Sequence, residues 1–423
     1  MKDSGIDWIG KIPDEWKIKR LKFVSKNRNE KYDEQYGKLD YFSLENIESQ
    51  SGHYIETKNE YDISQSLICQ KDDVVFGKLR PYLAKVYKVE KISCCSSEFA
   101  IFYNFEGDSS FLKYYFLSDG FVKIVDSSTY GIKMPRANID FIRNMKVTFP
   151  SKAEQTKIAN FLDKKCAQID SIIEESKKSI EEYKSWKQSV IFEAVTGKNL
   201  SCKKKDSGIE WLGEIPEEWE VQRLKSYFNF KKGLPITKEN LEDSGISVIS
   251  YGQIHSKNNN GVSICNELIR FVDKSYLKSN SESLVKKGDF IFADTSEDLE
   301  GCGNCAYVNS DEIIFAGYHT IIFSSKYQNE NKYLAYLFLT DAWRTQIRCN
   351  CSGVKLFSIT KKILSKVSII LPPLSEQESI ANFLEKKCTQ IDSLISEKQS
   401  LIKDLAEYKK SLIFEAVTGK RRV

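Results

Sequence analysis

The sequence predicts an α+β fold: two pseudo-symmetric globular domains joined by two long helices that form an intramolecular coiled coil. Three observations predict it. The stretch "IANFLDKKCAQID" at 158–170 recurs 222 positions later as "IANFLEKKCTQID" at 380–392, and each copy runs on to the same "IFEAVTGK". The segment "KDSGIDWIGKIPDEWKIKRLK" (2–22) returns 203 positions later as "KDSGIEWLGEIPEEWEVQRLK" (205–225). Between these anchors the halves share only an apolar skeleton, whose offset climbs in steps through 207, 216 and 221 to 222.

Rising offsets are what loop insertions between shared strands produce. "YFSLENI" from Tyr41 matches "VISYGQI" from Val248, "DVVFG" from Asp73 matches "DFIFA" from Asp289, and "EFAIFYN" from Glu98 matches "HTIIFSS" from His319. The chain therefore reads as two units of one fold, about 1–203 and 204–423. In each, alternating runs such as "AIFYN" and "HTIIFS" are bounded by Gly, Asn and Ser and predict strands of a twisted, largely antiparallel sheet. "FLKYYFLSDGFVKIV" and "YLAYLFLTDAWRTQI" have helical spacing instead.

The tails begin at Pro150 and Pro372, each followed by a glutamate in the first turn, as helix starts require. From there apolar positions step by 4 and 3. The first seam runs Leu162, Cys166, Ile169, Ile173, Ser176, Ile180, Tyr183, Lys187, Val190, Ala194. The second, in the same register, runs Leu384, Cys388, Ile391, Ile395, Lys398, Ile402, Leu405, Lys409, Leu412, Ala416. That is an a/d seam over about four heptads, in a helix of about 30 residues or ~45 Å, stopped by Gly197 and Gly419. Each seam needs an apolar partner, and the other is the nearest. The interruptions at Ser176, Lys187, Lys398 and Lys409 either set register or leave a surface for other subunits.

The totals exclude several classes. A hydrophobic content of 41% in 423 residues supports more than one core, while a net charge of only +4 is no polycationic nucleic-acid coat, so DNA binding has to rest on local patches or on partners. No apolar run approaches the ~18 residues of a membrane helix, the opening "MKDSGIDWIG" lacks the apolar core of a signal peptide, and eleven scattered cysteines fit free thiols in a cytoplasmic setting. A P-loop and a methyltransferase Asn/Asp-Pro-Pro-aromatic loop are both missing. Cys302, Cys305, Cys349 and Cys351 offer four thiols for zinc, but the second spacing is short and the first unit has no equivalent, so free thiols are the better reading. No catalytic site and no metal or cofactor site emerges.

Where the skeletons match, polar residues differ. After "DVVFG" come Lys78, Arg80, Tyr82 and Lys85; after "DFIFA" come Asp294, Thr295 and Ser296. A second candidate loop carries Tyr130, Lys133, Arg136 and Asn138, aligned with Lys355, Ser358 and Thr360. Arg and Lys read guanine edges or hold phosphates, Asp accepts from cytosine, and Ser and Thr fit either, so divergent loops on one scaffold suit a duplex with two different half-sites. A solvated loop charge is the plain alternative for any one of them.

The motifs "GIxWxGxIPxxW", "Glu-Gln-x-x-Ile-Ala-x-Phe-Leu-Asp/Glu" with "Gln-Ile-Asp", and "EAVTGK" resemble those of specificity subunits of type I restriction–modification systems, over essentially the whole chain. "GKLRPYL" (77–83) and "GDFIFADTSED" (288–298) also resemble segments of that family's target recognition domains. One departure is "PSKAEQ" in the first tail where the second has "PPLSEQ", a difference that bears on how that helix starts. The resemblance implies a first target recognition domain at 1–150 (repeat segment 2–22), a conserved helical region at 151–198, a second recognition domain at 199–372 (repeat segment 205–225) and a second helical region at 373–423, with the helices antiparallel. It implies a non-catalytic subunit reading a bipartite, asymmetric site in double-stranded DNA. Two modification (methyltransferase) subunits would dock on the helices, and restriction (translocase/nuclease) subunits would join them. S-adenosylmethionine, ATP and magnesium would sit on those partners. A self-contained methyltransferase or nuclease, and a coiled-coil scaffold without a DNA role, are the alternatives.

Overall fold

The structure, a computed structural model, describes residues 1–57, 65–129, 134–327, 331–353 and 355–423. The chain divides into two compact units, residues 1–178 with 398–423, and residues 179–397. Both long helices cross that division: Lys152–Thr196 and Leu374–Val417 each give one end to either unit. At 45 and 44 residues, or ~66 Å at 1.5 Å per residue, they are longer than the seam alone suggests, because they begin about ten residues before its first apolar position. The "PSKAEQ" departure leaves the start unchanged. Lys152 and Leu374 are equivalent positions, and Gln155 and Gln377 each donate Nε2 to the carbonyl of the proline five residues back (3.0 and 2.8 Å).

In the first unit the main sheet has the order Lys26–Arg28, Phe99–Tyr103, Val74–Gly77, Val86–Lys88, antiparallel throughout. Its central strands are buried on both faces, and the pleat sorts their side chains. Val74, Phe76, Ala100 and Phe102 face the helices Ser109–Leu117 and Asp119–Ser127 and the long-helix ends, whereas Val75, Phe99 and Ile101 face a small sheet. That sheet has the order Tyr41–Phe42, Ser93–Cys95, Leu67–Cys69, the first pair parallel. The second unit repeats the plan. Phe228–Lys232, Thr320–Ser325, Phe290–Ala293 and Cys305–Tyr307 form the antiparallel main sheet. Arg270–Val272, Ile246–Ile249, Ile314–Ala316 and Leu284–Val285 form the other, with Ile246–Ile249 parallel to Ile314–Ala316. Thus each unit has two main layers of sheet rather than one, and in the second unit Arg270–Val272 is an edge strand of its layer.

The two ends of each globular part are tied together. Lys17–Arg20 pairs with Lys146–Phe149, and Glu220–Arg223 with Ser368–Leu371, so each long helix leaves beside the strand that opens its domain. The seams are buried as their period demands. In the first unit Leu162, Cys166 and Ile169 share a core with Leu412, Ile413 and Ala416, and Ile173 and Leu405 pack against it. In the second, Ile191, Ala194 and Val195 join Ala381, Leu384 and Cys388, with Val190 alongside. Ile180 and Ile391 are buried too, and Tyr183, Ile395 and Ile402 half-buried.

A buried tryptophan sets the direction of each pair. Trp16 Nε1 donates to Glu154 Oε1 at 2.9 Å, and Trp219 Nε1 to Glu376 Oε2 at 3.0 Å. The same rings lie against the glycine that ends the opposite helix: a Cβ on Gly419 would sit 2.4 Å from Pro13 Cδ and 3.2 Å from Trp16 Cη2, and one on Gly197 2.6 Å from Pro216 Cγ and 3.1 Å from Trp219 Cη2. In each unit the start of one helix therefore meets the end of the other, which makes the pairing antiparallel. It also shows why "IPxxW" and "AVTGK" recur together: they are two sides of one joint, closed between residues distant in sequence.

Candidate nucleic-acid interface

The candidate loops are assembled by backbone geometry. Beyond the strand Val74–Gly77 the chain enters the left-handed region at Arg80 (φ 50°), makes the short turn Pro81–Leu83 and leaves through Ala84 (φ 45°). For non-glycine residues this conformation costs about 1–2 kcal/mol each, so the surroundings must hold it. They do: Lys78 N donates to Glu98 O (2.8 Å), Arg80 N to Pro135 O (2.8 Å) and Ala137 N to Lys78 O (2.8 Å), with Leu79 and Arg136 forming an antiparallel bridge. The two candidate loops of the first unit are thereby zipped into one surface.

The second unit repeats the pattern. Thr295–Ser296 pairs with Phe357–Ser358, placing Thr295 opposite Ser358. Asp294 N donates to His319 O (3.1 Å) and Ile359 N to Asp294 O (2.8 Å). Lys78, Glu98 and Ala137 thus have Asp294, His319 and Ile359 as counterparts on one scaffold, and the side chains have changed from Lys, Glu and Arg (Arg136) to Asp, His and Ser (Ser358).

An ion pair in one unit and a histidine–carboxylate contact in the other mark this place. Arg136 Nη2 donates to Glu98 Oε1, their side chains 61% and 27% exposed. In the other unit His319 Nδ1 lies 3.3 Å from Asp294 Oδ1, with side chains 57% and 35% exposed. His319 also holds a left-handed φ of 54° and packs edge-on to Tyr251, ring centroids 5.4 Å apart. Burial pulls the Lys78 amine's pKa down, opposed by Glu98 and deepened by Arg136. Glu98, His319 and Tyr251 were not among the residues expected from sequence. A usable signal existed, because Glu98 and His319 open the matched strands "EFAIFYN" and "HTIIFSS".

Other candidates are committed to the fold. Lys85 Nζ donates to Leu44 O (2.6 Å) and Ile47 O (2.8 Å), and burial lowers its pKa. Asn138 Oδ1 caps the helix Ile139–Asn144 by accepting from Asp140 N (2.8 Å) and Phe141 N (3.3 Å), and Thr360 Oγ1 caps Lys361–Lys366 through Ile363 N (3.3 Å). Ser296 is buried, and the Thr295 carbonyl bonds to His255 Nε2 (2.8 Å). Arg80, Tyr82, Lys355 and Ser358 are exposed. Tyr130 and Lys133 lie outside the described residues.

The four cysteines considered for zinc do not form a ligand set. Cys302 and Cys305 are buried, Cys351 is half-buried and Cys349 exposed, and burial pushes the Cys305 and Cys351 thiols up to about 12. Among the described residues no group of three or more His, Cys, Asp or Glu is placed to hold a metal ion, and no helix is long and apolar enough to cross a membrane.

Residues 13–182 and 216–404 match the family described as the type I restriction modification DNA specificity domain. Among curated relatives, the chain is 24% identical to the type I restriction enzyme MjaVIII specificity subunit of Methanocaldococcus jannaschii, over 83% of this chain and 76% of that one. It is 22% identical to the MjaIX specificity subunit of the same organism, over 98% and 95%. A solved structure reported for complex assembly and conformational transition of the type I R-M system superposes with a TM-score of 0.77 at 17% identity, covering 97% of this chain and all of that one. The HsdS subunit from Thermoanaerobacter tengcongensis gives 0.58 at 18% identity, covering 97% and 98%.

Proposed function

Since this chain belongs to the type I restriction modification DNA specificity family and carries two such domains, we propose that each unit reads one half of a bipartite, asymmetric DNA target through its zipped pair of loops. The observation that carries this reading is the bond-for-bond match of the loop backbones beside the divergence of their side chains. A common scaffold holds two different sets of donors and acceptors at one address, as unlike half-sites require.

The long helices serve the other half of the function. Ile172 (43% exposed) and Leu394 (38%) are 222 positions apart, as are Trp186 (45%) and Tyr408 (49%), so each unit displays a matched aliphatic and aromatic pair on its helices, beside the unmatched Leu401 in one and Leu374 and Phe383 in the other. Large apolar groups kept in solvent at matched positions fit two copies of one partner. In this reading those partners are modification subunits, which would supply S-adenosylmethionine and the adenine methyl transfer; restriction subunits would supply ATP- and magnesium-dependent translocation and cleavage. The chain itself would recognise and scaffold without catalysing.

Methylome sequencing of cells carrying the modification subunit, with and without this chain, tests the reading. The expected result is a split methyladenine motif that appears only with the chain. Replacing residues 23–150 with another such domain should then change one half of the motif. A swap that alters both halves, or neither, would overturn the assignment.

A further inference from the structure

We infer that the two units read DNA with opposite hydrogen-bond polarity at their matched positions, Arg136 donating to a guanine edge in one half-site and the Asp294–His319 pair accepting from an exocyclic base amine in the other. This rests on the proposed reading of the loops and adds which base chemistry each recognises.

In the first unit the cluster is built from donors. Arg136 and Arg80 are exposed, and Lys78 is half-buried beside them. The one acceptor in the group, Glu98, is turned inward: its backbone carbonyl takes the Lys78 amide, its Oε1 takes Arg136 Nη2, and its Oε2 is buried with no partner among the described residues. Among the described residues Glu98 is the only hydrogen-bond partner of the Arg136 guanidinium. A guanidinium held on one edge by a carboxylate loses rotamer freedom and still offers N–H groups on the others. A fork of donors complements the paired acceptors O6 and N7 that guanine shows in the major groove. The backbone bridge between Leu79 and Arg136 fixes where that fork stands.

The second unit replaces each member. Asp294 stands where Lys78 does, His319 where Glu98 does and Ser358 where Arg136 does, so the fork of donors is gone. With Nδ1–H directed at Asp294 Oδ1, a neutral His319 ring leaves Nε2 as an acceptor beside the carboxylate. Among the described residues His319 is the only hydrogen-bond partner of the Asp294 carboxylate. Tyr251 stacks edge-on against the ring. Two adjacent acceptors complement an N–H donor, and in the major groove the base donors are cytosine N4 and adenine N6.

The test uses the complex of the full chain with its modification subunit. Methylome sequencing with Arg136→Ala and, separately, Asp294→Ala identifies the position in each half-site that becomes degenerate. Duplexes are then made with 7-deazaguanine, which lacks the N7 acceptor, at the first position. At the second they carry 2-pyrimidinone or purine, which lack the amine of cytosine or adenine. Each analogue should weaken wild-type binding about 5- to 150-fold and have little further effect on the matching alanine variant. Arg136→Lys and His319→Gln guard against loss of folding, since each should weaken its own half-site and leave the other intact. Analogue losses as large in the alanine variants as in wild type, or none in either, would overturn the polarity assignment while the loops still read DNA. If every variant leaves both half-sites and affinity unchanged in an intact complex, the loops do not touch the bases, and the underlying reading falls with the inference.

Discussion

Lys409 Nζ donates to both carboxylate oxygens of Asp170, at 2.7 and 2.6 Å, inside the helix pair of the first unit. In the second unit Lys187 makes the same two bonds to Asp392, at 2.8 and 2.7 Å. Lys187 and Lys409 are 222 positions apart, as are Asp170 and Asp392, so a single device occurs twice. Both lysines stand at seam positions, as the polar Ser176 and Lys398 also do. A polar pair in such a seam favours the one alignment that satisfies it, because any slip of the helices would bury a charge without its partner.

The two pairs differ in burial, and this predicts unequal costs. The Lys409 and Asp170 side chains are 10% and 25% exposed, those of Lys187 and Asp392 23% and 55%. Lys409→Met should lower stability by about 1.5–3 kcal/mol, since it leaves a partly buried carboxylate with only the longer contact to His53 Nε2 at 3.6 Å. Lys187→Met should cost about 1 kcal/mol or less. Urea unfolding of the two variants checks this; equal midpoints would show that burial does not set the value of the pair.

The glycines that end the long helices are fitted to the proline and tryptophan of the opposite joint. Gly419→Ala combines a left-handed φ of 72° with a Cβ driven to 2.4 Å from Pro13. Gly37 has a comparable φ of 63° but nothing within 4 Å of its Cβ position. Gly37→Ala should therefore cost about 1 kcal/mol, and Gly419→Ala at least twice that. Thermal unfolding distinguishes them, and a Gly419→Ala variant no worse than Gly37→Ala would remove the joint from the account of stability.

Asn138 and Thr360 act as helix caps in the structure. Asn138→Ala and Thr360→Ala should each cost about 1 kcal/mol and leave the methylated motif unchanged. Degeneracy at one motif position, read by methylome sequencing, would instead place either side chain on a base.

Asp289 predicts a pH dependence. Burial raises its carboxyl above the ordinary carboxylate range, opposed by the Lys286 amide and the Ser324 hydroxyl, and its Oδ1 is buried without a partner. The folded state therefore holds this proton to higher pH than the unfolded chain. The stability it contributes is full below the ordinary value and is lost as pH rises through the raised one. Asp289→Asn carries no charge to lose, so its stability relative to wild type should climb as pH rises above the ordinary carboxylate range, by at most ~1.4 kcal/mol per pH unit. A flat difference in urea midpoints over that rise would refute the assignment.

Much of this was legible in the linear chain because it is encoded locally. The heptad steps from Leu162 and from Leu384 say which helix face is apolar, and those faces are buried. The alternation in "AIFYN" and "HTIIFS" marks strands, and both lie in the main sheets. The loops were less legible. Lys85 looked like its neighbours Lys78 and Arg80, yet its ammonium bonds the carbonyls of Leu44 and Ile47, residues some forty positions away. Charge and position in a loop carry no mark of such a distant acceptor.

The sequence by itself determined the repeat, the two seams and the fact that the candidate loops differ, because periodicity and composition act through near neighbours. Only the tertiary structure decided what each face meets. Trp16 finds Glu154 across 138 positions, Asp170 finds Lys409 across 239, and Leu79 comes to lie against Arg136. An apolar stripe or an unpaired amide states a need without naming its partner. Which group meets that need is settled only when strands and helices far apart in the chain pack together and leave one arrangement with its polar groups bonded.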